Sequence, residues 1–318
     1  MPTIDLATER KEPFQFWNPF HLYSSFDSYR RGLDLPQPGT TENLNKELKN
    51  TFLTNYFFDG ARADLTKVLS PNFQVTHTIS LATAGAPSSY NFAAVYAGPE
   101  FLIHGTVDND GILQSRIQYN WTSKLATKAQ MLITQVPGQN MLQAEVDYQG
   151  ADYTLNGKAV NPSPAEGTGI YVGSYLQSLG KNLAVGFESV VDQPPMGEPR
   201  SKTSLLARYT QKDSISTLQW QGSDAVQATY FQKINDKVEL GAELQVSTES
   251  ADRRGAIFSV GAKYDFRQAT FRGMVDSMGK VSAVLEEKMA PGFSFLMTAE
   301  VDHMKGQNKV GLGLMLES

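Results

Sequence analysis

The carboxylates of this 318-residue chain recur at spacings that gather them on one side of the backbone. Glu145 and Asp147 stand two residues apart, as do Glu300 and Asp302, and Glu239 and Glu243 stand four apart. Side chains alternate along an extended strand, so acids two or four apart share a face. Glu188, Asp265, Asp276 and Glu286 fall in segments with the same alternation. Paired carboxylates can divide acid and base work, but no nucleophile–base constellation accompanies them, so no catalytic residue is assigned. The bland reading is a wetted wall. The sharper one is a charged face that draws in cations by Coulomb attraction.

Other motifs give less. Asp108-Asn109-Asp110-Gly111 begins like a calcium loop. That loop needs Gly at its sixth position and Glu at its twelfth, where this chain has Leu113 and Tyr119. It reads as a hairpin turn. Gly167, Gly169 and Gly173 lack the spacing and following helix of a dinucleotide fingerprint. His21, His77, His104 and His303 are scattered without metal-ligand spacing. With no cysteine, disulfides, thiolate zinc sites and cysteine nucleophiles are excluded. No metal and no cofactor is expected. A net charge of −5 argues against nucleic acid as a partner.

The elements that must position the acids are strands. After Gly60, about nineteen short alternating segments run from Ala63–Ser70 to Asn308–Glu317, separated by turn residues such as Pro137-Gly138 and Asn235-Asp236. Val238, Leu240, Ala242, Leu244 and Val246 lie opposite Glu239, Glu243 and Gln245. The mean hydropathy of −0.32 suits a soluble protein, and no apolar run approaches the roughly 18 residues of a membrane helix. A membrane β-barrel escapes that test, because half of each strand faces water. Residues 60–318 give about 14 residues per strand and turn, which suits membrane strands of about 9–11 residues. Aromatics gather near strand ends, as in Tyr119 with Trp121, Tyr148, and Tyr264 with Phe266, like interfacial girdles. A soluble sandwich also alternates, but this many strands do not fit one sandwich.

The fold expected is therefore all-β: a transmembrane β-barrel of about nineteen strands over 60–318. With an odd count, all neighbours are antiparallel except the first and last strands, which close the barrel in parallel. Before it, Leu44, Leu48, Phe52 and Tyr56 recur every fourth residue, with Lys46, Glu47, Lys49 and Asn50 opposite. This predicts one amphipathic helix within 42–59. Four turns of it span roughly 24 Å, close to the apolar band of a barrel at about 25 Å. Residues 1–41 form an arm, partly irregular, rich in proline and aromatics, with a short helix around Tyr23–Arg31. No apolar core follows a basic start, so it is not a secretory signal, and Asp5 and Glu9 make it a poor mitochondrial presequence.

Several stretches carry a family resemblance. They are Asn72–Leu81, Val107–Gly111, Asp147–Thr154, Tyr175–Ser178, Gln227–Tyr230 and Leu285–Lys288. From about Asn18 to Glu317 the chain resembles the central pore-forming subunit of the mitochondrial outer-membrane protein translocase, the TOM channel. Nineteen is also the strand count of the mitochondrial porin. Lys309, Gly311, Leu314 and Leu316 resemble the C-terminal sorting signal of mitochondrial outer-membrane β-barrels. The resemblance implies a barrel in the outer membrane's lipid bilayer that passes unfolded mitochondrial precursor proteins. It implies a helix inside the pore, and association with a receptor subunit and small single-helix subunits. It further implies a homo-oligomer of barrels within a hetero-oligomer, with both chain ends in the intermembrane space.

On that reading, alternation points Glu145, Asp147, Glu188, Glu239, Glu243, Asp265, Asp276, Glu286, Glu300 and Asp302 into the lumen as a presequence path. Arg116, Lys128, Arg208, Lys263, Arg272, Lys288 and Lys309 point inward too. Presequences are Arg-rich and poor in acids, so acidic patches would concentrate them. The alternative is a metabolite or ion porin of the same fold, whose lumen should favour anions and be basic.

Overall fold

The computed structural model describes residues 35–318 apart from 82–86, 137, 164–166, 223 and 249–254, together with residue 32. The aromatic arm and its expected helix at Tyr23–Arg31 fall outside the described residues. Nineteen strands form one closed sheet. The first nine are β1 (Gly60–Ser70), β2 (Phe73–Ser80), β3 (Ser89–Ala97), β4 (Phe101–Asp108), β5 (Leu113–Asn120), β6 (Leu125–Ile133), β7 (Met141–Gln149), β8 (Tyr153–Ser163) and β9 (Thr168–Ser178). Next come β10 (Leu183–Gln193), β11 (Arg200–Thr210), β12 (Ser214–Trp220), β13 (Ala225–Asn235) and β14 (Val238–Ser247). The last are β15 (Gly255–Asp265), β16 (Ala269–Asp276), β17 (Lys280–Ala290), β18 (Phe293–Asp302) and β19 (Gln307–Glu317).

Each strand pairs antiparallel with the next, and β1 pairs parallel with β19, Gly60 facing Gly311 and Thr66 facing Glu317. Closure leaves no edge, which is what lipid demands of a spanning sheet. The barrel has a first mouth, where β1 begins, and a second mouth, where β19 ends. Links at the second mouth are two to four residues long, and those at the first mouth three to eight.

The outward face is apolar. Ile103, Leu142, Phe187, Val260, Met297 and Leu312 are all exposed along it. The girdle expected from the sequence is concentrated at the second mouth. Tyr96 stacks on Phe101 with ring centres 5.3 Å apart, and Tyr119 meets Trp121 edge-on at 4.7 Å. Tyr153, Tyr175 and Phe187 continue the belt at about 6 Å spacing.

Three boundaries differ from the sequence reading. The first strand starts at Gly60, not Ala63: Gly60 has φ +84°, which lets the chain turn sharply into the sheet. The proline-rich links after β8 and β10, which turn residues place at Asn161–Gly167 and Asp192–Lys202, are shorter, because polar residues such as Arg200 and Lys202 still pair in the ladder. The helix is also shorter. A 3₁₀ turn (Thr41–Asn43) leads into α1 (Lys46–Thr51), which stops where Phe52 turns extended, φ −78° and ψ 165°. Six residues span about 9 Å, not the 24 Å of four turns. The stripe's period continued through Tyr56, but the wall holds Phe52 in a socket that a continuous helix would not reach.

Candidate functional site

Residues 36–59 form a strap across the lumen. Pro36 starts at the second mouth, its carbonyl accepting a hydrogen bond from Ser178 Oγ at 2.6 Å at the end of β9. The segment then sweeps round the wall. Thr41 bonds Ser174 on β9, and Asn45 Oδ1 accepts from Thr217 on β12 at 2.5 Å. The Phe58 carbonyl accepts from Thr298 on β18 at 2.5 Å. From there Gly60 opens β1 at the first mouth. The strap therefore crosses the barrel from one mouth to the other.

Its apolar stripe makes a small core against the wall. Leu44, Leu48, Phe52 and Leu53 are buried, and Leu44 packs with Leu176, Ala184 and Leu206 on β9, β10 and β11. Lys46, Lys49 and Asn50 are exposed to the water of the lumen. Glu47 is instead tied to Arg208 Nη2 at 2.9 Å, while Arg208 Nη1 donates to the carbonyls of Asn43 and Leu44. The wall makes room with glycine. A Cβ at Gly241 would collide with Leu48 Cδ1, and one at Gly311 would collide with the Phe58 carbonyl oxygen. Strand alternation alone gave no reason for those glycines; the strap supplies it.

The ten acids named from the sequence separate into two kinds. Most are already engaged. Lys128 Nζ lies 3.1 Å from Glu145 and 2.8 Å from Asp147, and Asn156 Nδ2 bridges the same two carboxylates. Glu145 and Asp147 are only 3% and 2% exposed. Sealed under the strap, where Glu42 also reaches Lys128 at 3.1 Å, they present no open surface to a passing chain. Lys263 lies 3.6 Å from Glu239 and 2.7 Å from Asp265. Arg272 lies 3.8 Å from Glu286 and stacks over the Tyr56 ring at 3.9 Å. Lys280 and Lys309 flank Glu300 at 2.8 and 4.0 Å.

Asp276 and Asp302 cap hairpins. Asp276 accepts from the amides of Met278 and Lys280, and Asp302 from those of Met304 and Lys305. Asp108 does the same for Asp110 and Ile112, as the hairpin reading required.

Two acids differ. Glu243 is held by the amides of Gln227 and Gln245 at 2.5 and 2.7 Å, which orient it without neutralising it. Glu188 makes no ion pair among the described residues. Glu188 is the sixth of eleven residues of β10, and Glu243 the sixth of ten of β14. Both lie at mid-depth, where the barrel wall is farthest from either mouth. Sequence reasoning missed this division because ion pairs cross between strands. The pairing depends on register, and Asn156 and Glu42 gave no signal of their own.

The closing strand also sorts by face. Lys309, Gly311 and Gly313 face the lumen, while Leu312, Leu314 and Leu316 face outward and are exposed. Gly311 thus serves the strap, and Leu314 and Leu316 meet lipid.

A family model described as eukaryotic porin matches residues 37–311. The mitochondrial import receptor subunit TOM40 of Saccharomyces cerevisiae is 37% identical over 349 residues, covering 100% of this chain and 89% of that protein. The corresponding subunit of Neurospora crassa is 35% identical over 309 residues, covering 93% of this chain and 87% of its own. Among solved structures, a mutant of Rh. blastica porin superposes with a TM-score of 0.47 at 10% identity, covering 75% of this chain and 95% of that one.

Proposed function

The chain belongs to the eukaryotic porin family, among the mitochondrial import receptor subunits TOM40, and on that premise we propose that it conducts unfolded precursor proteins across the mitochondrial outer membrane. Its work is transport rather than catalysis. Its partners are the precursors, the surrounding bilayer, and the receptor and small single-helix subunits of a translocase holding more than one barrel.

The observation that carries the mechanism is the pair Glu188 and Glu243, which lie at mid-depth and make no ion pair among the described residues. A presequence arginine or lysine at about 5 Å in a water-filled lumen gains about 0.8 kcal/mol from each, roughly fourfold in residence. That is strong enough to bias passage and weak enough to release. The other lumenal acids act as structure: they hold lysines, arginines and hairpin amides, and so hold the strap and the wall. A metabolite porin of this fold would favour anions, and two carboxylates at the waist outside any ion pair oppose that.

The test is a bilayer recording with a basic presequence peptide. Glu188→Gln with Glu243→Gln should lower cation preference and shorten peptide block about tenfold at low salt, less at physiological salt, where screening acts within about 8 Å. Glu239→Gln should change block far less. Equal effects from both variants would remove Glu188 and Glu243 from the presequence path. Anion preference in the unaltered channel would favour the porin.

A further inference from the structure

The strap does not cover the whole wall. Among the described residues, its hydrogen bonds and ion pairs go to β6, β7, β9, β11, β12, β13, β16 and β18. None goes to β2, β3, β4 or β5. A cavity of about 640 Å³ separates Thr40–Asn43 from Arg116, Gln118 and Asn120 of β5. The passage left beside the strap therefore runs along β2–β5.

This bare wall has a chemistry of its own. Register fixes its inward residues: Gln74, Thr76 and Thr78 on β2, Asn91, Ala93 and Val95 on β3, Leu102, His104 and Thr106 on β4, Gln114, Arg116 and Gln118 on β5. No side-chain hydrogen bond or ion pair among the described residues engages Gln74, Asn91, Thr106, Gln114 or Arg116. Its inward carboxylate, Asp108, is already committed to its hairpin amides. The wall thus offers mostly neutral donors and acceptors, with Ala93, Val95 and Leu102 as its apolar members, His104 and Arg116 as its basic ones, and no free acid. Elsewhere the lumen carries most of the ion pairs, the buried stripe beneath the strap, the exposed lysines of the strap, and Glu188 and Glu243.

Neutral amides and hydroxyls match one ligand common to every unfolded protein, its backbone N–H and C=O groups. Bonds of this kind exchange with water at a net gain of only about 0.5–1.5 kcal/mol each. They hold an extended chain off apolar surface without trapping it, and they do not discriminate by sequence. We infer that the β2–β5 wall is the track on which the extended, neutral part of a passing polypeptide slides, while Glu188 and Glu243 act on its basic leader. This rests on the protein-conducting reading proposed above.

Two experiments test it. First, a photoreactive residue is placed at Thr76, Asn91 or Thr106, and in parallel at Gln245 or Met274, in full-length protein assembled in mitochondria. A precursor is then arrested in transit with a neutral segment in the pore. Cross-links from the β2–β5 positions are expected. Cross-links confined to Gln245 and Met274 would overturn the track but leave the channel standing. No cross-link from any inward position would overturn the channel reading itself. Second, the purified channel is blocked with a charge-free Ser/Thr/Gln-rich peptide. Asn91→Leu with Thr106→Val and Gln114→Leu should change its residence at least threefold, leaving block by a basic presequence peptide within experimental error. Retained single-channel conductance certifies the barrel. An unchanged neutral-peptide residence, or an equal change for both peptides, refutes the track.

Discussion

Lys128→Met should free the leading end of the strap while its apolar middle stays docked. Lys128 Nζ lies 3.1 Å from Glu42, 3.1 Å from Glu145 and 2.8 Å from Asp147. Oxygens each about 3 Å from one ammonium lie within about 6 Å of each other. Without the cation, two such charges repel by about 3 kcal/mol at an effective dielectric constant near 20. The Glu42 side chain is 43% exposed, so solvent screening cuts that to about 1.5 kcal/mol, roughly a tenfold shift toward release. The wall suffers as well, since buried carboxylates stripped of their partner typically cost about 3–5 kcal/mol. Leu48, Phe52 and Leu53 lie farther along and do not depend on Lys128. The chain has no native cysteine, so engineered pairs bridged by a short bifunctional thiol reagent report each part separately. A pair at Gln37 and Gln149 reads the leading end, and one at Asn45 and Thr217 reads the middle. Lys128→Met should lower bridging of the first pair about tenfold and spare the second. Adding Glu145→Gln and Asp147→Asn should restore most of the first, because replacing a whole buried ionic group is far milder than orphaning part of it. Unchanged bridging at Gln37–Gln149, or equal loss at both pairs, would refute the latch.

Gly241→Val should drive Leu48 off its seat, and the Asn45–Thr217 bridge should fall at least tenfold while the barrel still resists carbonate extraction; an unaltered bridge would show that the wall yields instead. Gly311→Val should disturb the Phe58 crossing and slow assembly, measured by the yield of membrane-integrated barrel, whereas normal yield would free Gly311 of that role. Leu312→Arg places a charge at mid-depth on the lipid face, costing about 2–4 kcal/mol, whereas at Leu316, beside the second mouth, the cost is about 0–1 kcal/mol. Both should abolish assembly, the second through loss of the sorting signal rather than through burial, and normal assembly of Leu316→Arg would remove that residue from the signal. Arg116→Gln, which removes the cation of the bare wall, should raise cation preference in bilayer recordings; no change would place Arg116 out of the ion path.

The barrel was legible because alternation is a local property. Val238 to Val246 declares which face is wet without reference to any neighbour, and nineteen such declarations fix the count and the parallel closure. The strap's apolar stripe was legible for the same reason, since Leu44, Leu48 and Phe52 repeat within one short segment. Its true length was not. Where α1 ends depends on the socket around Gly241 and Gly261, which belongs to strands some two hundred residues away. The acids were legible as inward-facing but not as free or spent. Glu239 and Glu243 have the same sequence signature. One meets Lys263 across the β14–β15 register, and the other meets two glutamines. Only pairing between strands tells a neutralised carboxylate from one outside any ion pair.

The strap's energetics decide what kind of part it is. Four buried side chains at about 1.5–3 kcal/mol each give about 6–12 kcal/mol of apolar burial, an upper estimate because an unfolded strap would keep some contacts. The Lys128 and Arg208 ion pairs and the Phe58 crossing add to it. A gate that withdrew for each passing chain would have to surrender all of this and recover it afterwards, with nothing in the lumen to compensate. The glycines at 241 and 311 would then leave hollows in the wall instead of seats. A fixed strap has neither problem. It narrows the pore, buries Glu145 and Asp147 as its own foundation, and leaves Glu188 and Glu243 outside any ion pair among the described residues. It leaves β2–β5 without strap bonds among the described residues, the side on which the proposed track lies.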